Sequence, residues 1–227
     1  MYELYIANKN YSSWSLRPWA LLRELQIPFT EQLLVFGDAP TWEPFRQRNP
    51  AGTVPCLVDG AAIVWESLAI VEYLAERHAG VWPAQGDARA WARSASAEMH
   101  AGFGELRRRC SMSCGVRVRL AEFPPALERD VARIGALFSE GLARFGGPYL
   151  AGPRFTAVDA FFSPVAFRVQ TYGLRLAPEA AAYCERLLAT ESLRSWYADA
   201  LREKFRDEPH EQDMQQMGQL LSDARER

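Results

Sequence analysis

The sequence predicts an α/β unit followed by an all-α unit, and three observations lead there. Strand-like and helix-like patterns alternate from Tyr2 to Leu74 in the order β-α-β-α-β-β-α. The stretch His78–Gly86 (HAGVWPAQG) reads as a linker from its glycines and proline. Beyond it apolar residues recur at helical spacing, and strand signals stop.

Each element has a local reason. Tyr2–Ala7 alternates apolar and polar residues as a first strand does, and Asn8–Tyr11 is a polar loop. Ala20, Leu21, Leu22 and Leu25 repeat as one helix face. Pro18 escapes a hydrogen-bond cost only within the first three helical positions, which puts the N-cap near Ser15 and leaves Ser12 and Ser13 in the loop. Ile27-Pro28 ends this helix. Phe29–Phe36 is a second strand, Gly37–Pro40 a loop, and Thr41–Arg48 a short helix or turn. A turn at Asn49-Pro50-Ala51-Gly52 leads to Val54-Pro55 and the apolar run Cys56–Val58. Asp59-Gly60 is a strong hairpin signal, Ala61–Trp65 the return strand, and Leu68, Ile70, Val71, Tyr73 and Leu74 repeat at helical spacing.

In the second half, Asp87 to about Ser113 reads as one long helix with Trp91, Met99, Phe103, Leu106 and Cys110 along one side. Pro124-Pro125 opens another, ended by Gly146-Gly147. Thr156 with Asp159 three residues later makes a capping box, a folding device rather than chemistry. Pro178–Leu188 and Ser192–Phe205 are two further helical segments. The polar stretch Asp207–Arg227 carries Met214, Met217, Leu220 and Leu221 on one face and is expected to dock in part.

Composition narrows the classes. A chain of 227 residues suits one large or two small domains, and 48 % hydrophobic residues suffice for a packed core. A formal charge of -2 argues against nucleic acid. No apolar run reaches the roughly 18 residues of a membrane span, and no secretory signal is visible. The four cysteines (Cys56, Cys110, Cys114 and Cys184) form no C-x-x-C pair and no zinc pattern, so no metal is expected. Cys56 should be buried and inert, while Cys110 and Cys114, a helical turn apart, could face a cleft. None of the histidines (His78, His100, His210) shows a partner pattern for acid–base work. A cytoplasmic protein with reduced thiols is the default.

Two sequence features suggest a ligand site. A cis Val54-Pro55 bond, which costs an X-Pro pair only about 0.5–1 kcal/mol, would turn the N–H and C=O of Val54 outward, where a peptide-like ligand pairs as an added strand. At Glu66-Ser67 a strand hands over to a helix. Unpaired N–H groups there attract a carboxylate, Ser67 adds a hydroxyl, and Glu66 can hold an amine. Together these features suit a small zwitterion with a peptide bond; the competing reading is a plain hairpin with Ser67 as N-cap.

The run Val54-Pro55, hairpin, Glu66-Ser67-Leu68-Ala69-Ile70 resembles the glutathione-binding half of the glutathione transferase family. The resemblance implies a thioredoxin-like domain over residues 1–79 and an all-helical domain over 87–227 lining the electrophile pocket. It also implies glutathione as co-substrate, a hydrophobic electrophile as second substrate and a homodimer, with a role in detoxification. Ser12-Ser13-Trp14-Ser15-Leu16-Arg17 resembles the serine motif of the zeta class, which includes maleylacetoacetate isomerases. In that class the first serine acts on sulfur, which maps the role onto Ser12, with Ser13 as rival and glutathione contact. Trp14 stands where that class has cysteine, and Trp19 where it has a basic residue. Val54, Pro55, Glu66 and Ser67 are the remaining implied glutathione contacts. Tyr11 and Trp14 are assigned to the electrophile pocket; Tyr11 also rivals the serines, because other classes use a tyrosine there. Arg17 is expected to anchor local structure through a salt bridge or carbonyls. The expected reaction is attack of glutathione thiolate on an electrophilic carbon. Alternatives are a glutathione-dependent cis–trans isomerase and a non-catalytic binding module of the same fold.

Overall fold

The computed structural model describes residues 1–49 and 51–226, so Pro50 of the expected turn lies outside the described residues. The first half runs β1 (Tyr2–Ala7), α1 (Ser13–Glu24), β2 (Phe29–Leu34), α2 (Ala39–Arg48), β3 (Cys56–Asp59), β4 (Ala62–Trp65) and α3 (Ser67–Ala75). The four strands form one sheet in the order β2-β1-β3-β4. β1 and β2 are parallel, with Tyr2 opposite Phe29; β1–β3 and β3–β4 are antiparallel. The Asp59-Gly60 hairpin falls where the sequence puts it, with Gly60 at a φ of 59° that favours glycine.

The second half is helical with one addition. It contains α4 (Gly86–Ala101), α5 (Gly104–Arg109), β5 (Val116–Leu120), α6 (Pro125–Phe145), α7 (Ala157–Tyr172), α8 (Pro178–Leu188), α9 (Glu191–Arg202), α10 (Glu208–Met217) and β6 (Gly218–Asp223). The expected single helix over 87–113 is broken after Ala101. Phe103 is left-handed there (φ 58°), and a side chain at Gly102 would sit 2.8 Å from the Glu98 carbonyl. Strands also do not stop at the linker: β5 pairs antiparallel with β6 as a separate two-stranded ribbon. Val116-Arg117-Val118-Arg119-Leu120 has the alternation of a strand, but its partner lies about a hundred residues away.

The helix α1 starts earlier than predicted. Its N-cap is Ser12, and Pro18 sits inside the helix, not in its first turn. An interior proline costs about 3 kcal/mol. Leu16, Trp19, Leu21 and Leu22 are fully buried around it, and each such side chain contributes roughly 1.5–3 kcal/mol, so packing outweighs the break. One face of α1 meets the sheet, and another meets α7 and α9. A continuous apolar core therefore runs from Leu4 and Ile6 through Trp19 to Phe161, Phe162 and Trp196.

The capping box forms as expected. The Asp159 carboxylate accepts the Thr156 N–H at 2.9 Å and also the Leu150 N–H at 3.0 Å and the Tyr183 hydroxyl at 2.8 Å. The C-terminal stretch docks through α10, with Met214 buried, and through Arg225; Leu220 and Leu221 lie exposed on the ribbon instead of sharing Met214's contacts. No described helix is long and apolar enough to cross a membrane.

Candidate active site

The loop between β1 and α1 is held from the far end of the chain. Glu203 accepts the backbone N–H groups of Lys9 (2.7 Å) and Asn10 (3.1 Å), and Trp196 donates its indole N–H to the Lys9 carbonyl at 2.8 Å. The Lys9 ammonium is buried between Asp199 (2.7 Å) and Glu31 (2.9 Å). The helical half thus fixes the loop that delivers Ser12 and Ser13.

Those serines open onto a cleft of about 480 Å³ between the two halves. Tyr11, Ser12, Ser13 and Trp14 line one side, and Gly52, Thr53 and Val54 a second. Phe36, Trp42, Arg107, Arg168, His210 and Asp213 are among the residues that complete it. The Val54-Pro55 bond is cis, and Val54 is half-buried at the cleft wall. Among the described residues its N–H and C=O take no partner. Ser12 is the N-cap residue but makes no cap bond, so N–H groups of the first turn stay open. Its hydroxyl donates instead to the Ser15 hydroxyl at 2.7 Å, whose oxygen also accepts the Ala7 N–H at 3.2 Å. Ser13, more exposed, accepts from the Arg168 guanidinium at 3.4 Å.

Similarity to known proteins decides the family. A family model described as the N-terminal domain of glutathione S-transferase matches residues 11–77. The chain is 30 % identical to the glutathione S-transferase-like protein OpS6 of Beauveria bassiana, over 71 % of this chain and 76 % of that protein. It is 32 % identical to the glutathione S-transferase GstB of Escherichia coli K12, over 69 % and 78 %. The chain belongs to the glutathione S-transferase family. The fold agrees: a crystal structure of a Burkholderia glutathione transferase homologue with bound glutathione superposes with a TM-score of 0.62, covering 88 % of this chain and 97 % of that one at 22 % identity.

The other expected residues of this glutathione S-transferase fall around the cleft unevenly. Pro55, next to Val54, is buried. Glu66 and Ser67 do not line the cleft itself. Glu66 is exposed with a left-handed φ of 69°, and Ser67, the first residue of α3, is buried. The Ser67 hydroxyl accepts from Arg17 at 3.3 Å. Among the described residues Arg17 makes neither the salt bridge nor the carbonyl contact expected of it. Its guanidinium lies 4.0 Å over the Trp14 ring and 4.9 Å from Phe161, fully buried. Arg17 therefore joins Trp14, on the cleft, to Ser67 beside it.

Tyr11 is not free to act on sulfur. Its hydroxyl donates to Glu211 at 2.7 Å and accepts from Arg225 at 3.1 Å; burial and Glu211 push its ionisation far up. Its ring stacks on His210, so α10 forms the cleft wall at this end. His210 does have an acidic partner, Asp207, at 2.5 Å from Nδ1. The spacing Asp207–His210 follows from Asp207 being the N-cap of α10, a signal present in the sequence but unread. Cys110 and Cys114 do not face the cleft; all four thiols are buried. Burial pushes Cys56 up to about 11 and Cys110 and Cys184 up to about 12, and it drives Cys114 up further. A larger hollow of about 1100 Å³, between α6, the C-terminal end of α7 with the loop 173–177, and the ribbon, contains none of the expected site residues.

Proposed function

We propose that this transferase binds glutathione along Val54 and conjugates its thiolate to an electrophilic carbon, with Ser12 as hydrogen-bond donor to sulfur. The observation that carries this is the meeting, in one cleft, of an unpaired peptide edge at Val54 with a hydroxyl at the open N-terminus of α1. The cysteinyl unit pairs with Val54. The γ-glutamyl end reaches Glu66 and Ser67, with its amine at the exposed carboxylate of Glu66. Pro55 shapes the loop, and Ser13 contacts the bound peptide.

A thiol near its ordinary pKa of about 8.5 is mostly protonated at pH 7. A hydroxyl bonded to an anion contributes about 1.5–3 kcal/mol, and a helix N-terminus roughly 0.3–1 kcal/mol more. The sum suffices to hold the thiolate near neutrality. Hydroxyl hydrogens rotate freely. When sulfur arrives, Ser15 donates to Ser12 and Ser12 donates to sulfur, and the Ala7 N–H still bonds Ser15. Trp14 lines the electrophile side, and Tyr11 closes it from below.

The working units are residues 1–79 for glutathione and 87–227 for the electrophile, in a cytoplasmic detoxification enzyme. A homodimer suits the edge strand β4, where Trp65 is exposed; sedimentation at micromolar concentration showing a 25.6 kDa species would refute it. Retention on immobilised glutathione, with a panel of electrophiles and a cis–trans isomerisation substrate, tests the whole reading. Failure to bind glutathione and to turn over any electrophile would leave only a binding module of this fold.

A further inference from the structure

Two arginines on the cleft wall have no part in the chemistry above. Arg107 in α5 and Arg168 in α7 are far apart in sequence and meet beside Ser13 and Trp14. Arg168 is buried. Its Nε donates to the Cys110 carbonyl at 2.7 Å, its Nη1 to the Pro164 carbonyl at 3.3 Å, and its Nη2 to Ser13 at 3.4 Å. Arg107 donates through Nη2 to the carbonyls of Met99 and His100, and its guanidinium lies 4.7 Å from the Trp14 ring. Its Nε is buried with no partner, as is the Nε of Arg17 behind the same ring.

Among the described residues, none of these three guanidinium groups has a carboxylate within salt-bridge distance. Elsewhere the chain pairs its arginines freely: Arg133 with Glu98, and Arg225 with Glu211 and Asp223. The acidic groups that act on the trio are Glu66 on Arg17 and Asp130 on Arg107, and Asp213 lines the same cleft. Asp130 is occupied by the Leu106 N–H. Burial lowers all three arginines, and repulsion from neighbouring arginines adds to it at Arg17 and Arg168; burial first, then Arg107, bring Arg168 down to about 10, still charged at neutral pH. Burying cations without an anion is unfavourable unless a bound group supplies the charge.

In the pose proposed above, glutathione's carboxylates do not supply it. A peptide that pairs at Val54 and places its γ-glutamyl end at Ser67 would run its glycyl carboxylate the other way along the loop, past Thr53, which leaves Arg107 and Arg168 unassigned to it. Arg107 and Arg168 line the cleft from helices of the second half, the side assigned above to the electrophile.

We infer that Arg107 and Arg168 select the electrophile, and that the electrophile carries a carboxylate that docks against them. This rests on the transferase reading and narrows its substrate class. Planar guanidinium groups bind carboxylates with directed N–H bonds, so the docked acid fixes its reactive carbon toward Ser12. With a benzylic chloride the step balances simply. The thiolate lone pair forms the S–C bond, chloride leaves with the C–Cl pair, and the thiol proton has already gone to solvent.

The test compares 4-(chloromethyl)benzoate with its methyl ester, each with glutathione and each corrected for the uncatalysed rate. For the unaltered enzyme the acid should exceed the ester at least about tenfold in kcat/KM. The preference should shrink as salt is raised. Arg107→Gln should lower the acid-to-ester ratio about ten- to hundredfold, and Arg107→Lys should keep part of it. The unaltered enzyme's ratio and its salt dependence need no variant to fold. An ester turned over as well as the acid, or a ratio that Arg107→Gln leaves unchanged, overturns the assignment while the transferase reading stands. If neither compound reacts and glutathione does not bind, the transferase reading fails first and the assignment falls with it.

Discussion

Removing the Ser12 hydroxyl isolates the group proposed to act on sulfur. In the structure this hydroxyl bonds Ser15 at 2.7 Å, and the residue is largely shielded from water. Ser12→Ala leaves the helix start intact, since Ser12 makes no cap bond and its backbone carbonyl still accepts the Leu16 N–H at 3.2 Å. What is lost is one bond to a bound anion, about 1.5–3 kcal/mol, which raises the bound thiol's pKa by roughly one to two units. At pH 7 the thiolate fraction, and with it kcat, should fall about ten- to hundredfold, with little change in glutathione affinity. The deficit should shrink toward pH 9, where the thiol ionises unaided. The assay is the pH–rate profile of Ser12→Ala beside Ser13→Ala with one electrophile, and ultraviolet titration of bound thiolate. Ser13 accepts a bond from Arg168, so its loss should weaken binding or electrophile selection more than it moves the profile. A shifted profile in Ser13→Ala with an unshifted one in Ser12→Ala would refute the reasoning. A shift in neither would move the role to a backbone N–H of α1, because the Tyr11 hydroxyl already donates to Glu211.

Three further outcomes are expected. Arg225→Ala strips Glu211, Asp223 and Tyr11 of a buried partner, a loss of about 3–5 kcal/mol for such a pair. Amide exchange should quicken across α10 and β6 while α1 and α7 stay protected, and uniform protection would count against the docking role. Burial pushes the Asp159 carboxyl up to about 6 despite the bonds from Leu150, Thr156 and Tyr183. A carboxyl raised on folding binds its proton more tightly in the folded state, so its contribution is largest in acid and declines as pH rises from about 4 to 6. The decline amounts to roughly 3 kcal/mol. Urea midpoints over that range should show a slope that Asp159→Asn removes; equal slopes would contradict it. Finally, a thiol reagent at pH 7.5 should label none of the four buried cysteines until the chain unfolds, and rapid native labelling of any one would show its shelter to be wrong.

Local chemistry made much of this chain legible before folding. Asp59-Gly60 can make only a tight turn between two short apolar runs, and Thr156 with Asp159 can start only a helix, because in each case the backbone groups involved lie within a few residues. The order of the first seven elements, the Val54-Pro55 loop and the adjacent serines are of the same kind. The start of α1 was not legible. Pro18 argues for a start near Ser15, and only the burial of Leu16, Trp19 and Leu22 against both halves explains why the helix begins at Ser13 and carries the proline inside. The break after Ala101 likewise depends on where α4 meets α5.

The tertiary structure alone decided the rest of the cleft. Arg107 and Arg168 meet Ser13 although more than 90 residues separate them from it, as counted from Ser13 to Arg107. Glu203 and Trp196 hold the loop before Ser12 from the far end of the chain. Tyr11 reads in the sequence as a pocket residue and a rival to the serines, and its hydroxyl is taken up only because α10 and Arg225 return to it. Hydrogen bonds between neighbours are written in short patterns, whereas charges brought together across the fold leave no periodicity or spacing to read, since their meeting is fixed by the packing of the helices that carry them.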